Sequence, residues 1–276
     1  MVDFLAQMAA SSRARADRLP TPELQMAATA LPPLVPLALQ GFDLIAEVKD
    51  RSPAEGDLAG DGATLDRVSR ARAYARGGAA AISVLTEPDR FAGQLAHLTQ
   101  VASAVADENV PVMRKDFLVD GRQIVEARVA GASGVLLIAA ILDDAALHSM
   151  LDCAADHGLF VLLESFDEAD LTRSAALLEE TRYADKAAAG TLLMGVNTRN
   201  LRTLEVDANR LEQLAPQLPG NAVAVAESGL RGPDDTRRVA TLGYRAGLVG
   251  TALMRADDPE HLVAAMLAAA RSGEAA

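Results

Sequence analysis

The chain contains no tryptophan, three tyrosines and six phenylalanines in 276 residues. A core made from it must be filled mainly by alanine, valine, leucine and isoleucine, in a sequence that is half hydrophobic. The single cysteine, Cys153, excludes an intramolecular disulfide framework and any multi-cysteine metal site. The four histidines are scattered, and none shows the HExxH spacing of a zinc hydrolase. Basic residues are outnumbered, 26 against 38 acidic, and the net charge of −12 argues against the basic footprint of a nucleic-acid binder. No stretch approaches the roughly 18 consecutive apolar residues of a membrane-spanning helix. The first residues, MVDFLAQMAASSRARADRLP, carry Asp3 early and no apolar run suited to a signal peptide. These absences predict a soluble, cytoplasmic protein that binds neither nucleic acid nor membrane.

What is present is a rhythm. Residues 1–40 stand apart, with a helical pattern followed by the proline-punctuated LPPLVPLALQGF. Eight short apolar runs follow: Asp43–Val48, Ala79–Leu85, Val110–Arg114, Gly134–Ile138, Leu159–Leu163, Thr191–Val196, Ala222–Ala226 and Ala246–Val249, starting 24 to 36 residues apart. Each interval holds one helix and two loops. In LDDAALHSMLDCAADHG, residues Leu147, Met150, Leu151 and Ala154 form one stripe, Asp143 is placed to cap the N-terminus, and Gly158 to stop the helix. GPDDTRRVATLG opens on Pro233 and closes on Gly243, the expected asymmetry. Continuous apolar strands alternating with amphipathic helices indicate a parallel sheet covered by helices. Length alone suggests about two domains, but eight such units fit a single (β/α)8 barrel of about 250 residues. The prediction is one barrel domain over residues 1–276, with residues 1–40 as an N-terminal helical extension. The rival, a doubly wound open sheet, usually has a glycine-rich turn after its first strand, and VKDRSPAEG is not one.

In a barrel the loops after the strands build the active face. The first strand ends in LIAEVKDRSP, where Glu47 and Lys49, two apart, share a face, and Ser52 and Pro53 follow. The third ends in Lys115 and Asp116, the fifth in Glu164, the sixth in Asn197 and Arg199, the seventh in Glu227, Ser228 and Gly229, and the eighth in Gly250 and Thr251. A lone lysine after a strand is ordinarily a solvated loop residue, and a Glu–Lys pair ordinarily a salt bridge. So many strand ends bearing such groups, all converging on one space, favour catalysis. The glycines of ESGLRG and VGTALM lie in the loops after the seventh and eighth strands, each leading into a short helix, which is the usual phosphate site of the fold. Two lysines and three glutamates in one pocket suggest acid–base chemistry without a metal. Arg199 suits a substrate anion or a carboxylate side chain.

The motifs IAEVKDRSP, SVLTEPDRFAG, RKDFLVDGRQIVEAR, VLLIAAIL, GVNTRNLRTLEVD, VAESGL and LVGTALMR, in this order from about residue 44 to 255, together resemble indole-3-glycerol phosphate synthase. The resemblance implies a barrel with extra helical structure before the first strand. It implies ring closure of 1-(2-carboxyphenylamino)-1-deoxyribulose 5-phosphate, with loss of CO2 and water, in tryptophan biosynthesis, and no metal or organic cofactor. On this resemblance Lys115 is the general acid that protonates the ketone oxygen. Lys49 binds the substrate carboxylate and assists proton transfer in dehydration, and Glu164 is the base or the stabiliser of the cationic intermediate. Glu47 and Asn197 hold sugar hydroxyls and orient the lysines, while Glu227 and Ser228 shape the floor. Gly229, Gly250 and Thr251 cradle the phosphate with Ser52 nearby. Phe91, Phe117, Pro53 and Leu137 wall the aromatic ring. A lysine that acts as an acid near neutrality is expected to need a lowered pKa, which a second lysine in the pocket would favour. The partner implied is a small sugar phosphate, with weak association with other enzymes of the pathway and a monomer or dimer in solution.

Three stretches depart from the family pattern. SFDEADL follows Glu164 where the family more often has Val-His, TRYADKAAAGT before the sixth strand is long, and the first loop, DRSPAEGDLAGDG, is poor in basic residues. They keep open a paralogue acting on a modified anthranilate-derived sugar phosphate, and a non-catalytic phosphate-binding barrel. A phosphoribosylanthranilate isomerase would ask for a Cys/Asp pair at strand ends, whereas Cys153 falls within a predicted helix.

Overall fold

A computed structural model describes residues 3–53, 55–58, 66–200, 205–207 and 209–272. The strands β1 (Asp43–Val48), β2 (Ala81–Leu85), β3 (Val112–Lys115), β4 (Gly134–Ile138), β5 (Phe160–Ser165), β6 (Leu192–Asn197), β7 (Ala224–Glu227) and β8 (Ala246–Val249) close into one barrel. Every neighbouring pair is parallel, and β8 returns to β1 with Ile45 opposite Leu248. Three strands have the predicted bounds, and the other five start one or two residues later than the apolar run. Those runs begin in the turn before the strand, where the backbone already bonds to its neighbours, as Val161 N–H does to the Thr191 carbonyl at 2.8 Å and Met194 N–H to that of Val223 at 2.9 Å.

Alternation along each strand sorts the side chains into two cores. Ile45, Met113, Leu136, Leu162, Leu193, Val225 and Leu248 fill the barrel interior. Leu44, Ala46, Val48, Ile82, Leu137, Leu163 and Val249 face outward onto the helices. With so few aromatic residues, both layers rest on aliphatic packing. The helix Asp144–Asp156 buries Leu147, Met150, Leu151 and Ala154, and its cap is Asp143, accepting from the Ala146 N–H at 2.8 Å. Gly158 follows with φ +71, the left-handed turn that ends such a helix without a Cβ clash.

The N-terminal segment makes two helices, α1 (Phe4–Ala16) and α2 (Thr21–Thr29). In α1, Phe4, Leu5, Met8, Ser12 and Ala16 are buried, a stripe of period about four. Phe4, Leu5 and Met8 join the interior core at the mouth, and Phe4 meets Phe117 edge to face at 6.1 Å between centroids. Arg15 fastens the other end of α1, its guanidinium donating to both oxygens of Asp116 at 2.9 and 2.7 Å. Leu37 and Leu39, further along, pack against the interior core before the chain enters β1. The long stretch before the sixth strand forms an additional helix, Thr181–Ala188. Its Tyr183 is buried, stacks on His148 at 5.8 Å and donates to Asp152 at 2.9 Å.

Candidate active site

The inward alternation that fills the barrel with aliphatic side chains places charge at the last inward position of several strands. Glu47, Lys115, Glu164, Asn197 and Glu227 line a cavity of about 470 Å³ at the C-terminal mouth, together with Lys49 from just beyond β1. That volume suits a small organic ligand. The Lys49 ammonium stands 2.8 Å from Glu47 Oε1, and the Lys115 ammonium 3.7 Å from Glu164 Oε2. Two glycines make these placements possible. A Cβ on Gly195 would lie 2.1 Å from Glu227 Oε1, and one on Gly250 would lie 2.2 Å from Glu47 Oε1 and 2.9 Å from Lys49 Nζ. Either side chain would evict a carboxylate from the floor.

The charges set one another. Burial would raise the Glu47 pKa, but Lys49, Lys115 and Arg199 outweigh it and hold the group below its usual value. Burial would lower the pKa of Lys115, yet Glu164, Glu47 and Glu227 outweigh it and raise the value. The expected depression of the lysine is therefore reversed, because three carboxylates crowd it and a second ammonium does not. Glu227 is pushed well above an ordinary carboxylate, by burial first and by the negative charge of Glu164 second. Glu164 and Glu227 are both buried, and their carboxylate oxygens accept no hydrogen bond among the described residues. Relative to free side chains, the floor thus favours the charged form of Lys115 and the protonated form of Glu227.

Asn197 is held in one orientation, its Oδ1 accepting from the Arg199 N–H at 2.9 Å and from Ser228 Oγ at 2.8 Å. Ser228 adopts φ +66, unusual for a residue with a Cβ, and Gly229 follows at +79. Gly229, Gly250 and Thr251 line the rim of the same cavity, as do Ser52, Pro53 and Arg199. Phe91 and Phe117 form one wall, with ring centroids 6.2 Å apart. Phe91 is positioned by Glu87, whose carboxylate caps the short turn Pro88–Phe91 by accepting the N–H groups of Asp89, Arg90 and Phe91.

Leu137 is not part of this wall. It is fully buried in the outer core, against the helices, while Leu136 and Ile138 line the cavity. A shift of one residue on a strand moves a side chain to the other face. The register fixes the parity, because Ile138 pairs with Glu164 across the sheet and the two face the same way. Sequence reasoning also missed Phe4, Leu248, Glu55 and Arg255, all at the cavity. Phe4 and Glu55 belong to segments outside the strand rhythm, and only the fold brings them to the mouth. Cys153 lies in its helix as expected, with the thiol bonded to the Gly121 carbonyl at 3.6 Å and its pKa pushed up by burial to about 11.

Fold and site together define a (β/α)8 enzyme with acid–base groups on the floor of its barrel and an anion-suited rim. Residues 21–266 match the family model of indole-3-glycerol phosphate synthase, and the chain belongs to that family. It is 49% identical over 226 residues to the indole-3-glycerol phosphate synthase of a Nocardioides species, covering 82% of this chain and 80% of that one. It is 40% identical over 260 residues to that of a Parafrankia species, covering 94% and 87%. Among solved structures, 3-hexulose-6-phosphate synthase from Salmonella typhimurium shares the fold at a TM-score of 0.60 and 18% identity, over 84% of this chain and 99% of that one. The family is one of carboxy-lyases in tryptophan biosynthesis. No helix among the described residues is long and apolar enough to cross a membrane.

Proposed function

We propose that this chain closes the indole ring of 1-(2-carboxyphenylamino)-1-deoxyribulose 5-phosphate, with Lys115 as general acid and Glu164 as base. The observation that carries the reading is an ammonium and a carboxylate held 3.7 Å apart at the floor of a pocket with an aromatic wall. The substrate's aryl group lies against Phe91, Phe117, Pro53 and Leu136, with Phe4 of α1 completing the wall. Its phosphate lies at the rim on Gly229, Gly250 and Thr251, near Ser52, and Arg199 holds an anionic group of the substrate.

The aryl carbon bearing the carboxylate attacks the ketone carbon, and the ketone oxygen takes a proton from Lys115. The raised pKa of Lys115 keeps that proton in place until an alkoxide develops. The new carbon–carbon bond leaves a cationic ring system, which Glu164 and Glu47 stabilise from the floor. Decarboxylation returns the electron pair to the ring, favoured by the dry aromatic wall, with Lys49 holding the carboxylate until it leaves. The new hydroxyl departs as water on a proton from Lys49, while Glu164 removes a proton from the adjacent carbon to form the second ring's double bond. Asn197 and Glu47 hold the sugar hydroxyls throughout, and Glu227 and Ser228 shape the floor beneath them.

The test is indole fluorescence on mixing purified protein with the substrate, wild type beside Lys115→Met. The absence of tryptophan keeps the protein's own emission low. Wild type is expected to give signal, and the variant to lose about 10²- to 10⁴-fold in kcat. A silent, well-folded wild type would sink the activity, whereas a fully active variant would move the acid role elsewhere. The reading carries with it a cytoplasmic monomer or dimer in weak association with other enzymes of the pathway, which sedimentation with and without those enzymes would check.

A further inference from the structure

The rim of the pocket carries a carboxylate on Thr251, one of the groups that the reading above gives to phosphate. Glu55 lies in the loop after β1, where Arg51–Ser52 pairs with Gly56–Asp57 in a short hairpin. Thr251 Oγ donates to Glu55 Oε1 at 3.0 Å, and an Arg255 guanidinium nitrogen stands 3.2 Å from Glu55 Oε2. Each carboxylate oxygen is thus engaged by one residue of the short helix Thr251–Arg255 that follows β8. Glu55 lines the same cavity as Gly229, Gly250 and Thr251. It is no stray surface charge, since its side chain is only 26% exposed.

A carboxylate and a phosphate ask for the same partners, namely a hydroxyl proton and the fork of a guanidinium. They cannot share them, because two anions on one pair of donors repel. We propose that Glu55 is an internal competitor that any phosphate must displace from Thr251 and Arg255. The proposal rests on the reading of this rim as the phosphate end of the substrate. Binding is then an exchange of one anion for another, and the net gain from the phosphate alone is small. A ligand that also engages the aromatic wall and the floor has further contacts to drive the exchange, whereas free phosphate has none. Glu55 thereby lowers the affinity of the rim for any phosphate, so that the whole substrate still binds through its further contacts while free phosphate binds only weakly, and it does so in binding, before the chemical step. In the displaced state Glu55 touches no reacting group, so its influence falls on KM and not on kcat.

The experiment is calorimetric titration of the full chain with inorganic phosphate, comparing wild type, Glu55→Gln, Thr251→Val and the double variant, followed by KM and kcat with the substrate. Glu55→Gln keeps the size of the side chain and removes its charge. It is expected to bind phosphate about two- to tenfold tighter than wild type, the range of a partly exposed ion pair relieved. Its KM is expected to fall in the same direction, with kcat unmoved within about twofold. Thr251→Val is expected to weaken phosphate in both backgrounds. If Thr251→Val weakens phosphate but Glu55→Gln matches wild type, the rim is the phosphate site and Glu55 does not compete. If phosphate binds without regard to Thr251, or does not bind to any of the four proteins, the phosphate reading fails and the competitor role falls with it. A drop in kcat with unchanged phosphate affinity would make Glu55 a participant in the reaction, which also overturns the proposal.

Discussion

Asp116 and Glu227 are each 1% exposed, stand at the ends of barrel strands and border one pocket, yet their surroundings are opposite. Asp116 accepts from Arg15, Arg114, Thr86 and its neighbour's N–H, with distances from 2.7 to 3.1 Å. Burial alone would raise its pKa, but those donors and the two guanidiniums hold it at about 2. Glu227 has no hydrogen-bond donor among the described residues, and its pKa is raised by burial first and by the facing Glu164 second. A saturated buried carboxylate is a fastening, and here it ties α1 to the strand that carries Lys115. An unsaturated one costs stability where it sits, and it leaves carboxylate lone pairs without a donor beside the pocket. The pairing of these two environments is what separates scaffold from chemistry at this mouth.

The largest break in that comparison is Asp116→Asn. It leaves Arg114 and Arg15 without their shared anion, and breaking a buried pair in this way costs about 3 kcal/mol. Urea unfolding at pH 7 should show the loss, together with a rise in KM as α1 and its Phe4 loosen from the wall. In the wild type the contribution of Asp116 is fully present above its unfolded pKa, near 4, and is lost as pH falls toward about 2. The variant should lack that acid-side slope, and a slope retained in full would assign it to another carboxylate.

Glu227→Gln should act in the reverse sense. A carboxyl whose folded pKa is raised stabilises the folded state relative to its ionised form below the unfolded value, and that advantage is lost as pH rises through the folded pKa. Gln mimics the protonated form at every pH, so the variant should match wild type near pH 4 and become relatively more stable as pH rises. The gain should be smaller than the loss in Asp116→Asn. If both substitutions destabilise equally at pH 8, the distinction between the two carboxylates is wrong.

Most of the barrel was legible because its signals are local and repeated. Continuous apolar runs such as Leu44–Ala46 and the caps at Asp143 and Gly158 need no distant partner to be read. The floor was legible for a related reason: in a parallel barrel the strand ends converge, so Glu47, Lys115, Glu164, Asn197 and Glu227 could be placed together from their positions in the runs. What was not legible depends on partners far apart in sequence. The direction of the Lys115 shift is fixed by three carboxylates on three strands, and only their summed proximity decides it. Leu137 was misplaced because an all-apolar strand carries no alternation to show which face is inward. Phe4 and Glu55 reach the pocket through the path of the N-terminal segment and the first loop, which no periodicity encodes.

The smallest expected effect lies at Ser228, where rim and floor meet. Its backbone is held at φ +66 while its hydroxyl donates to Asn197 at 2.8 Å. A residue with a Cβ in that region costs about 1 kcal/mol, and one partly buried hydrogen bond is worth about the same. Ser228→Gly removes both, so its stability should stay within about 1 kcal/mol of wild type, whereas Ser228→Ala keeps the strain, loses the bond and should fall by about 1 kcal/mol. Activity should not follow stability. Asn197 Oδ1 loses the same hydrogen bond in both variants and, among the described residues, keeps that from the Arg199 N–H, so kcat/KM should drop by a similar few-fold in each. Thermal unfolding beside steady-state kinetics on the pair separates the two roles. If the glycine variant recovers full activity along with its stability, the hydroxyl does not orient Asn197, and the left-handed backbone alone is what this position supplies.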